Sequence, residues 1–272
     1  MIKDKIKFIY RFYKRFYIKS KLMYLAIIEK IYPPKYENYR IPPPKYRQLT
    51  TATLVTVNEH INYGKQASSM IVSVLENEGI NLNSTHKMLE FGCGCGRILR
   101  HVKVKYPNIE LFGTDVDSEL IYWNKKHLPD VAKWNINDYN PPIKYESDRF
   151  NIVFLISVFT HMDQESQNRW LIEFERILKP GGLLLITVIP LSSDYLNKKW
   201  DFVDPDGMVY RYRRNEVVSR SWIKKKTIHP YYIDAQHSAE YCKKKWNDIF
   251  KVNGIYSGAI RGKQSLVVLQ KT

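Results

Sequence analysis

The stretch LEFGCGCGRILRH, residues 89–101, constrains the fold of this chain more than any other. Apolar residues at 88–91 predict a short buried strand, and three glycines then follow at every second position, Gly92, Gly94 and Gly96. The next run, RILRHVKVKY, predicts a helix. A strand, a glycine-rich turn and a helix form the first half of a nucleotide-binding βαβ unit, whose turn lets the backbone approach a ligand closely.

Acidic residues on both sides of this turn limit which ligands the site can bind. The segment IELFGTD predicts a second strand that ends at Asp115, 19 residues after Gly96, where a carboxylate can accept hydrogen bonds from both hydroxyls of a ribose. The third glycine of a dinucleotide motif is replaced by Arg97, and Glu90 at the end of the first strand would repel a pyrophosphate. S-adenosylmethionine carries an ammonium, a sulfonium and a ribose but no phosphate, so it suits Glu90 and Asp115.

At these residues the sequence resembles the class I S-adenosylmethionine-dependent methyltransferases, and the resemblance continues for about 100 residues in the family's order. LEFGCGCGR is similar to the first motif of the family and GTDVD to the second. FNIVFLISVFTHM (150–162) is similar to the fourth strand with its loop, and LKPGGLLLITV (178–188) to the turn into the fifth strand. The sequence also resembles bacterial methyltransferases associated with glycan biosynthesis and glycosyltransferases, which combine FGCGCGR, SVFTH, LKPGG and an ending like QSLVVLQK.

The resemblance implies a fold class and a cofactor site. The expected fold is α/β, with a Rossmann-like seven-stranded sheet that is mostly parallel with one antiparallel strand. Only AIRGK separates the last two predicted strands, which is too short for a parallel crossover and predicts a hairpin. The residues implied to contact the cofactor are Glu90, Gly92, Cys93, Gly94, Gly96 and Arg97 near the methionine, Asp115 at the ribose, Val116 near the adenine, and Ser157 and Val158 beside the site. Either Asn137 or Asp138 would contact the adenine amino group, and the spacing to Pro141 and Pro142 favours Asn137.

Three histidines are candidates for a general base that deprotonates an acceptor hydroxyl. His161 follows the fourth strand, whose end faces the methyl group by resemblance, and it could instead only anchor its loop. His229 and His237 follow the fifth strand, in a segment where substrate-facing residues are expected. No metal site is expected, because Cys93 and Cys95 lack a second pair of thiols or histidines at metal-binding spacing.

Five regions are expected along the chain. Residues 1–48 form a basic amphipathic helical arm that ends in a proline-rich linker, and residues 49–85 form helices over the site. Residues 86–190 form the cofactor-binding core. Residues 191–236 form a small β insertion that faces the substrate as a cap, and residues 237–272 complete the core with a helix and a β-hairpin.

Charge is concentrated in the arm. Residues 1–50 contain 13 Lys and Arg against 3 Asp and Glu, so this segment carries +10 of the total net charge of +16. Within residues 2–32, apolar and cationic positions recur at helical spacing, which suits either an anionic membrane surface or packing against the body of the protein or a second subunit. Three cysteines and no convincing secretory signal favour the cytoplasm, with the inner face of the membrane as the place of contact.

These features leave three classes of function open. The first is an O-methyltransferase acting on a sugar, a glycan or another small-molecule acceptor that carries a phosphate, with N-methylation of an amino sugar as a variant. The second is an RNA methyltransferase whose basic arm follows the phosphate backbone, although the core carries little excess charge. The third is a cofactor-binding partner protein without catalysis, against which the intact first and second motifs count.

Overall fold

The computed structural model describes residues 13, 16–17, 20–21, 23–50, 56–84, 86–193, 198–212 and 233–272. Its strands, in chain order, are β1 (Lys35–Tyr36), β2 (Tyr39–Arg40), β3 (Lys87–Phe91), β4 (Glu110–Asp115), β5 (Lys133–Ile136), β6 (Phe150–Leu155), β7 (Leu178–Val188), β8 (Phe202–Val203), β9 (Met208–Tyr212), β10 (Ile233–His237), β11 (Lys251–Ile260) and β12 (Gln264–Gln270). Its helices are α1 (Pro44–Leu49), α2 (Val57–Asn77), α3 (Leu99–Lys105), α4 (Ser118–His127), α5 (Gln164–Ile177) and α6 (Ala239–Trp246). Residues 23–31 are also helical.

The central sheet has seven strands in the order β11-β12-β7-β6-β3-β4-β5. β3, β4, β5, β6 and β7 pair in parallel, whereas β12 runs antiparallel to both β7 and β11. The predicted Rossmann-like, mostly parallel sheet and its terminal hairpin are therefore confirmed. The hairpin is tighter than predicted, because β11 continues to Ile260 and leaves only residues 261–263 as the connection.

The strand order brings several chain segments to one edge of the sheet. Parallel strands end at the same edge, and in open α/β sheets ligands bind there. Because β12 is antiparallel, its first residue and the tip of the β11–β12 hairpin reach this same edge. We call it the carboxyl edge. The turn after β3, the end of β4, the residues after β6 and the hairpin tip all lie at the carboxyl edge.

Helices cover both faces of the sheet, and each face has its own hydrophobic core. One core joins α2, α3 and α4 to the sheet, and the other joins α5, α6 and the strands β9 and β10. Near-continuous apolar runs such as FNIVFL in β6 are typical of parallel strands buried on both faces. Side-chain N-caps fix the helix starts, with a capping box at Thr56 and Glu59 for α2 and with Asp117, Asp163 and Ser238 before α4, α5 and α6.

A second, three-stranded antiparallel sheet, in the order β10-β9-β8, lies in the segment that follows β7. Its strands lie within residues 191–236, where the sequence predicts a β insertion, except that β10 ends at His237, one residue later. A single parallel bridge joins Pro190 to His237. His229 lies outside the described residues, so its predicted role stays a prediction.

The segment that the sequence predicts as a proline-rich linker packs against the body instead. β1 and β2 form a short hairpin, and Pro44 opens α1, since proline at the first helical position loses no hydrogen bond. Ile41 and Arg47 are buried. The sequence suggests a spacer because prolines dominate its composition, but it contains no signal for the partners that bury these two side chains. In the described part of the chain, no helix has the length and apolar character to cross a membrane.

Candidate functional site

The three glycines of the turn after β3 all have left-handed backbones, with φ of +75° at Gly92, +53° at Gly94 and +67° at Gly96. Each is also crowded. A Cβ on Gly92 would lie 2.6 Å from Val158 Cγ2, and one on Gly94 would lie 2.5 Å from Thr50 Cγ2. Glycine is therefore required at these positions both by conformation and by the close approach of other segments.

Glu90 holds a buried carboxylate directly before this turn. Its side chain is 3% exposed, and Oε2 has no hydrogen-bond partner among the described residues. Burial raises the pKa of Glu90 well above its usual range, the positive charge of Arg97 opposes this rise, and the charge of Asp115 adds to it. A buried carboxylate oxygen that lacks a hydrogen-bond partner among the described residues is costly, so the site is suited to a cationic ligand group.

Asp115, the last residue of β4, lies beside the turn and is hydrogen-bonded to it. Its Oδ2 accepts a hydrogen bond of 2.8 Å from the backbone N–H of Gly94, and its Oδ1 accepts one of 2.9 Å from the backbone N–H of Asp117. Burial raises the pKa of Asp115, and the backbone donors partly offset that effect. Since each carboxylate oxygen has two lone pairs, both can accept a further hydrogen bond from a ligand hydroxyl. Val116 follows with 40% of its surface exposed.

Asn137 and Asp138, after β5, differ sharply in environment. The side chain of Asn137 is buried, its Oδ1 accepts from Thr114 Oγ1 at 2.8 Å, and its Nδ2 donates to the carbonyl of Asp138 at 2.7 Å. The side chain of Asp138 is exposed. Asn137 therefore ties β4 to the loop after β5, and the carboxylate of Asp138 faces solvent.

Arg97 and Arg261 form a basic group around Tyr63 of α2. The guanidinium carbon of Arg97 lies 3.8 Å from the Tyr63 ring centroid, and that of Arg261 lies 4.6 Å from it. Both distances are in the range of cation–π contacts. Nε and Nη1 of Arg97 are buried without a hydrogen-bond partner in the described part of the chain. The sequence predicts a site role for Arg97 but gives no signal for Tyr63; for Arg261 the only signal is its place at the tip of the predicted hairpin.

Ser157 and Val158 connect the end of β6 to the turn. Ser157 has a left-handed backbone, with φ of +59°, and its N–H donates to Thr187 Oγ1 at 2.7 Å. Its hydroxyl donates to Gln264 Oε1 at 3.0 Å, which links the β6 end to the first residue of β12. Val158 packs against Gly92 from the other side. This backbone conformation is unfavourable for a non-glycine residue, and the contacts around Ser157 hold it in place.

His161 lies at the end of a 3₁₀ turn, Phe159–His161, that follows these residues. Its Nδ1 lies 3.0 Å from the carbonyl oxygen of Ile233 in β10. Because a carbonyl only accepts, Nδ1 carries the proton and Nε2 is the basic nitrogen of the neutral ring. The structure thus orients His161 between the carboxyl edge and the second sheet.

His237 has a different position from His161. It is 2% exposed, its Nε2 lies 3.0 Å from Gln167 Oε1, and burial lowers its pKa to about 3. Gln167 in turn donates from Nε2 to the carbonyls of Phe159 and Met162, at 3.0 and 2.9 Å. His237 therefore belongs to the core that supports the 3₁₀ turn, and a base buried in this way is poorly suited to exchange protons with a substrate.

The two cysteines of the turn, Cys93 and Cys95, are free thiols and are buried. Burial raises the pKa of the thiols of Cys93 and Cys95, so both stay protonated near neutral pH. Cys95 Sγ lies 3.8 Å from Thr50 Oγ1. Across the ranges that the structure describes, no group of three or more His, Cys, Asp or Glu side chains is arranged to hold a metal ion.

Comparison with known proteins gives a family match for part of the chain. Residues 89–184 match the model of a family described as a methyltransferase domain. The malonyl-[acyl-carrier protein] O-methyltransferase of Hahella chejuensis is 24% identical over 188 residues, which cover 68% of this chain and 64% of that protein. This chain therefore spans a little under two thirds of that relative's length.

Two solved structures share the fold. An S-adenosylmethionine-dependent methyltransferase from Clostridium acetobutylicum superposes with a TM-score of 0.53 at 13% identity, over 83% of this chain and 95% of that one. An S-adenosylmethionine-dependent methyltransferase from Methanosarcina mazei superposes with a TM-score of 0.52 at 16% identity, over 72% of this chain and 96% of that one. At these identities the similarity establishes the fold.

Proposed function

We propose that the chain is an S-adenosylmethionine-dependent methyltransferase that O-methylates a sugar, a glycan or another small-molecule acceptor, which the match of residues 89–184 to a methyltransferase-domain family supports. The observation that carries the proposal is the buried carboxylate of Glu90, whose Oε2 lacks a hydrogen-bond partner among the described residues. Such a group is stabilised by a cation, and the cofactor brings an ammonium and a sulfonium. Nε and Nη1 of Arg97, which are buried without a hydrogen-bond partner among the described residues, suit the carboxylate at the same end of the cofactor.

The other end of the cofactor fits the residues after β4 and β5. Asp115 would accept hydrogen bonds from the ribose hydroxyls, with both of its oxygens already oriented by backbone donors. Val116 would pack against the adenine. Of the two candidates for the adenine amino group, we propose Asp138, because its carboxylate is exposed whereas the amide of Asn137 is engaged with Thr114 and with the Asp138 carbonyl.

Methyl transfer to a hydroxyl is an in-line displacement, and S-adenosylmethionine supplies the reactive methyl group when bound. The residues of this chain align the reactants and exclude water. Glu90 holds the cationic end in place, and Ser157 and Val158 shape the wall opposite the glycine turn. His161 would take the proton of the acceptor hydroxyl at Nε2, since the Ile233 carbonyl keeps Nδ1 protonated.

The acceptor is expected at the carboxyl edge, beneath the second sheet. Arg261 at the hairpin tip would pair with a phosphate on a nucleotide- or lipid-carried sugar. Residues 191–236 would face this acceptor as a cap, and part of this segment, 194–197 and 213–232, lies outside the described residues. The relative from Hahella is named an O-methyltransferase, which supports oxygen over nitrogen as the methylated atom.

Transfer of a labelled methyl group to separated cell fractions tests this proposal. The protein is incubated with methyl-labelled S-adenosylmethionine and with glycan, nucleotide-sugar, lipid and RNA fractions. We expect the label in a sugar-containing product and in a form that withstands alkali, because a methyl ether is stable to alkali whereas a methyl ester is hydrolysed. Label that is released by ribonuclease, or label in an alkali-labile ester, would contradict sugar O-methylation and leave the cofactor assignment intact.

A further inference from the structure

The helical segment before β1 exposes a broad apolar face, which we call the apolar face of the arm. Among the described residues from 13 to 32, nine large hydrophobic side chains are exposed by 39% to 76%. They are Tyr13, Phe16, Tyr17, Met23, Tyr24, Ile27, Ile28, Ile31 and Tyr32. Tyr13, Tyr17, Tyr24 and Ile31 follow the spacing of one helical stripe. A patch of this kind on a protein surface marks a site of interaction.

Charge on the same segment indicates the chemistry of the partner. Residues 1–31 contain nine Lys and Arg and only two acidic residues. Lys30 is exposed, and the Nζ of Lys21 lies 5.8 Å from the Tyr17 ring centroid, at the border of the apolar face. Apolar and aromatic residues bordered by cations are the pattern of a helix that lies in the plane of an anionic membrane surface.

One ion pair fixes this helix to the rest of the protein. The guanidinium of Arg47 in α1 donates from Nη1 and Nη2 to the two carboxylate oxygens of Glu29, both at 2.8 Å. Arg47 is fully buried, and the Glu29 side chain is 11% exposed. Arg47 Nη1 also donates to the carbonyl of Pro42 at 2.8 Å. A bidentate, buried pair of this kind fixes orientation as well as proximity.

α1 in turn contacts the cofactor-binding turn. Thr50, which ends α1, lies against Gly94, and Lys45 pairs with Glu119 of α4 at 2.6 Å. Arg100 of α3 donates to the carbonyl of Arg40 at 2.9 Å. The apolar face is therefore connected to the glycine turn through one short chain of contacts, from Glu29 to Arg47 to Thr50.

We propose that the apolar face of the arm docks onto an anionic lipid surface and holds the cofactor-binding turn at a fixed orientation to it. This goes beyond methyl transfer and does not depend on the acceptor. A second copy of the chain fits the face less well, because two strongly cationic helices would repel each other, whereas anionic headgroups neutralise them. The apolar side chains would enter the headgroup boundary without crossing the bilayer.

Vesicle binding by the full-length protein tests the docking. Vesicles of phosphatidylcholine with about 30% phosphatidylglycerol are compared with vesicles of phosphatidylcholine alone in a co-sedimentation assay. We expect binding to the anionic vesicles only, weakened when salt is raised from about 0.1 M to about 0.5 M. Ile27→Glu combined with Ile31→Glu is expected to reduce binding at least tenfold, because it puts two negative charges into the apolar face.

Ile172→Glu in α5 is the matched control, since Ile172 is exposed by 61% and Ile31 by 63%. This control should bind as the wild type does. The proposal is overturned if the wild type does not bind anionic vesicles, or if Ile172→Glu weakens binding as much as the arm variant. It is also overturned if the wild type is a dimer that the arm variant dissociates while vesicle binding stays the same, because a second copy then covers the face.

Discussion

The carboxylate of Asp115 and the backbone N–H of Gly94 are joined by a hydrogen bond of 2.8 Å between Oδ2 and N. This bond crosses from the end of β4 to the middle of the glycine turn after β3. It orients the carboxylate toward the carboxyl edge and holds the turn in its left-handed conformation. The same residue therefore shapes the turn and, in the proposed function, offers hydrogen-bond acceptors to the ribose.

Asp115→Ala is expected to weaken the binding of S-adenosylmethionine at least tenfold, about 1.4 kcal/mol, because a charged hydrogen-bond acceptor is lost. Isothermal titration calorimetry measures the effect. Asp130→Ala is the control, since Asp130 is an exposed acidic residue away from the turn. An affinity that is unchanged in Asp115→Ala would remove Asp115 from the ribose site.

Gly94→Ala is expected to destabilise the fold for two separable reasons. The left-handed backbone costs a non-glycine residue about 1–2 kcal/mol, and the new Cβ would lie 2.5 Å from Thr50 Cγ2. Thr50→Ser removes this methyl group and keeps the hydroxyl, which donates to the carbonyl of Arg47 at 3.0 Å. Thr50→Ser in the Gly94→Ala background should restore the steric part of the lost unfolding free energy and leave the backbone part.

A double-mutant cycle by urea denaturation measures this coupling. If the two substitutions are additive, Thr50 does not cover Gly94 in solution, and the contact between α1 and the turn is wrong.

His161→Ala is expected to lower kcat roughly 10²- to 10⁴-fold, which is the usual contribution of a general base. Cofactor affinity should stay the same, because His161 is assigned to the acceptor. His86→Ala is a suitable control, since His86 precedes β3 at the opposite edge of the sheet. Full turnover by His161→Ala would exclude His161 as the base and leave it the role of anchoring β10 through the Ile233 carbonyl.

The stability of the protein is expected to depend on pH through His237. Its pKa is about 3 in the folded state, against about 6.5 in an unfolded chain. Between these values the unfolded chain binds the extra proton, so the free energy of unfolding falls as pH is lowered from about 6.5 toward about 3. The slope from this one group is at most about 1.4 kcal/mol per pH unit.

His237→Gln should remove this contribution while its amide can still donate to Gln167. Urea denaturation at several pH values compares the variant with the wild type. Parallel curves for the two proteins would mean that His237 titrates normally and lies outside the core.

The sequence predicts the central fold well because its signals are local and ordered. The apolar runs, the glycine turn and Asp115 appear in the order that the parallel sheet requires, and the short AIRGK connection predicts the hairpin. Contacts between distant segments leave no such signal. Nothing in the sequence near Thr50 indicates that it covers Gly94, and nothing near Arg47 indicates that it is buried with Glu29. His237 is predicted as a candidate base in a substrate-facing segment, and its burial could not be foreseen because the pairing of its strand, β10, with β9 leaves no signal in the sequence.

Binding of S-adenosylmethionine to the wild type and to Glu90→Gln, measured together with their unfolding free energies, tests the central claim most directly. Burial raises the pKa of Glu90 in the folded state, so the folded state holds this proton more tightly than an unfolded chain, whose glutamate titrates near about 4.3. Without cofactor, the wild type therefore loses stability as pH rises above about 4.3. Glu90→Gln, which cannot ionise, avoids that loss.

We predict that the wild type binds one S-adenosylmethionine per chain. We also predict that Glu90→Gln binds it at least tenfold more weakly, although the variant is the more stable protein at neutral pH without cofactor. Glu110→Gln, at the opposite end of the adjacent strand, should bind as the wild type does. A wild type that does not bind S-adenosylmethionine, or a Glu90→Gln protein with unchanged affinity, would contradict the account.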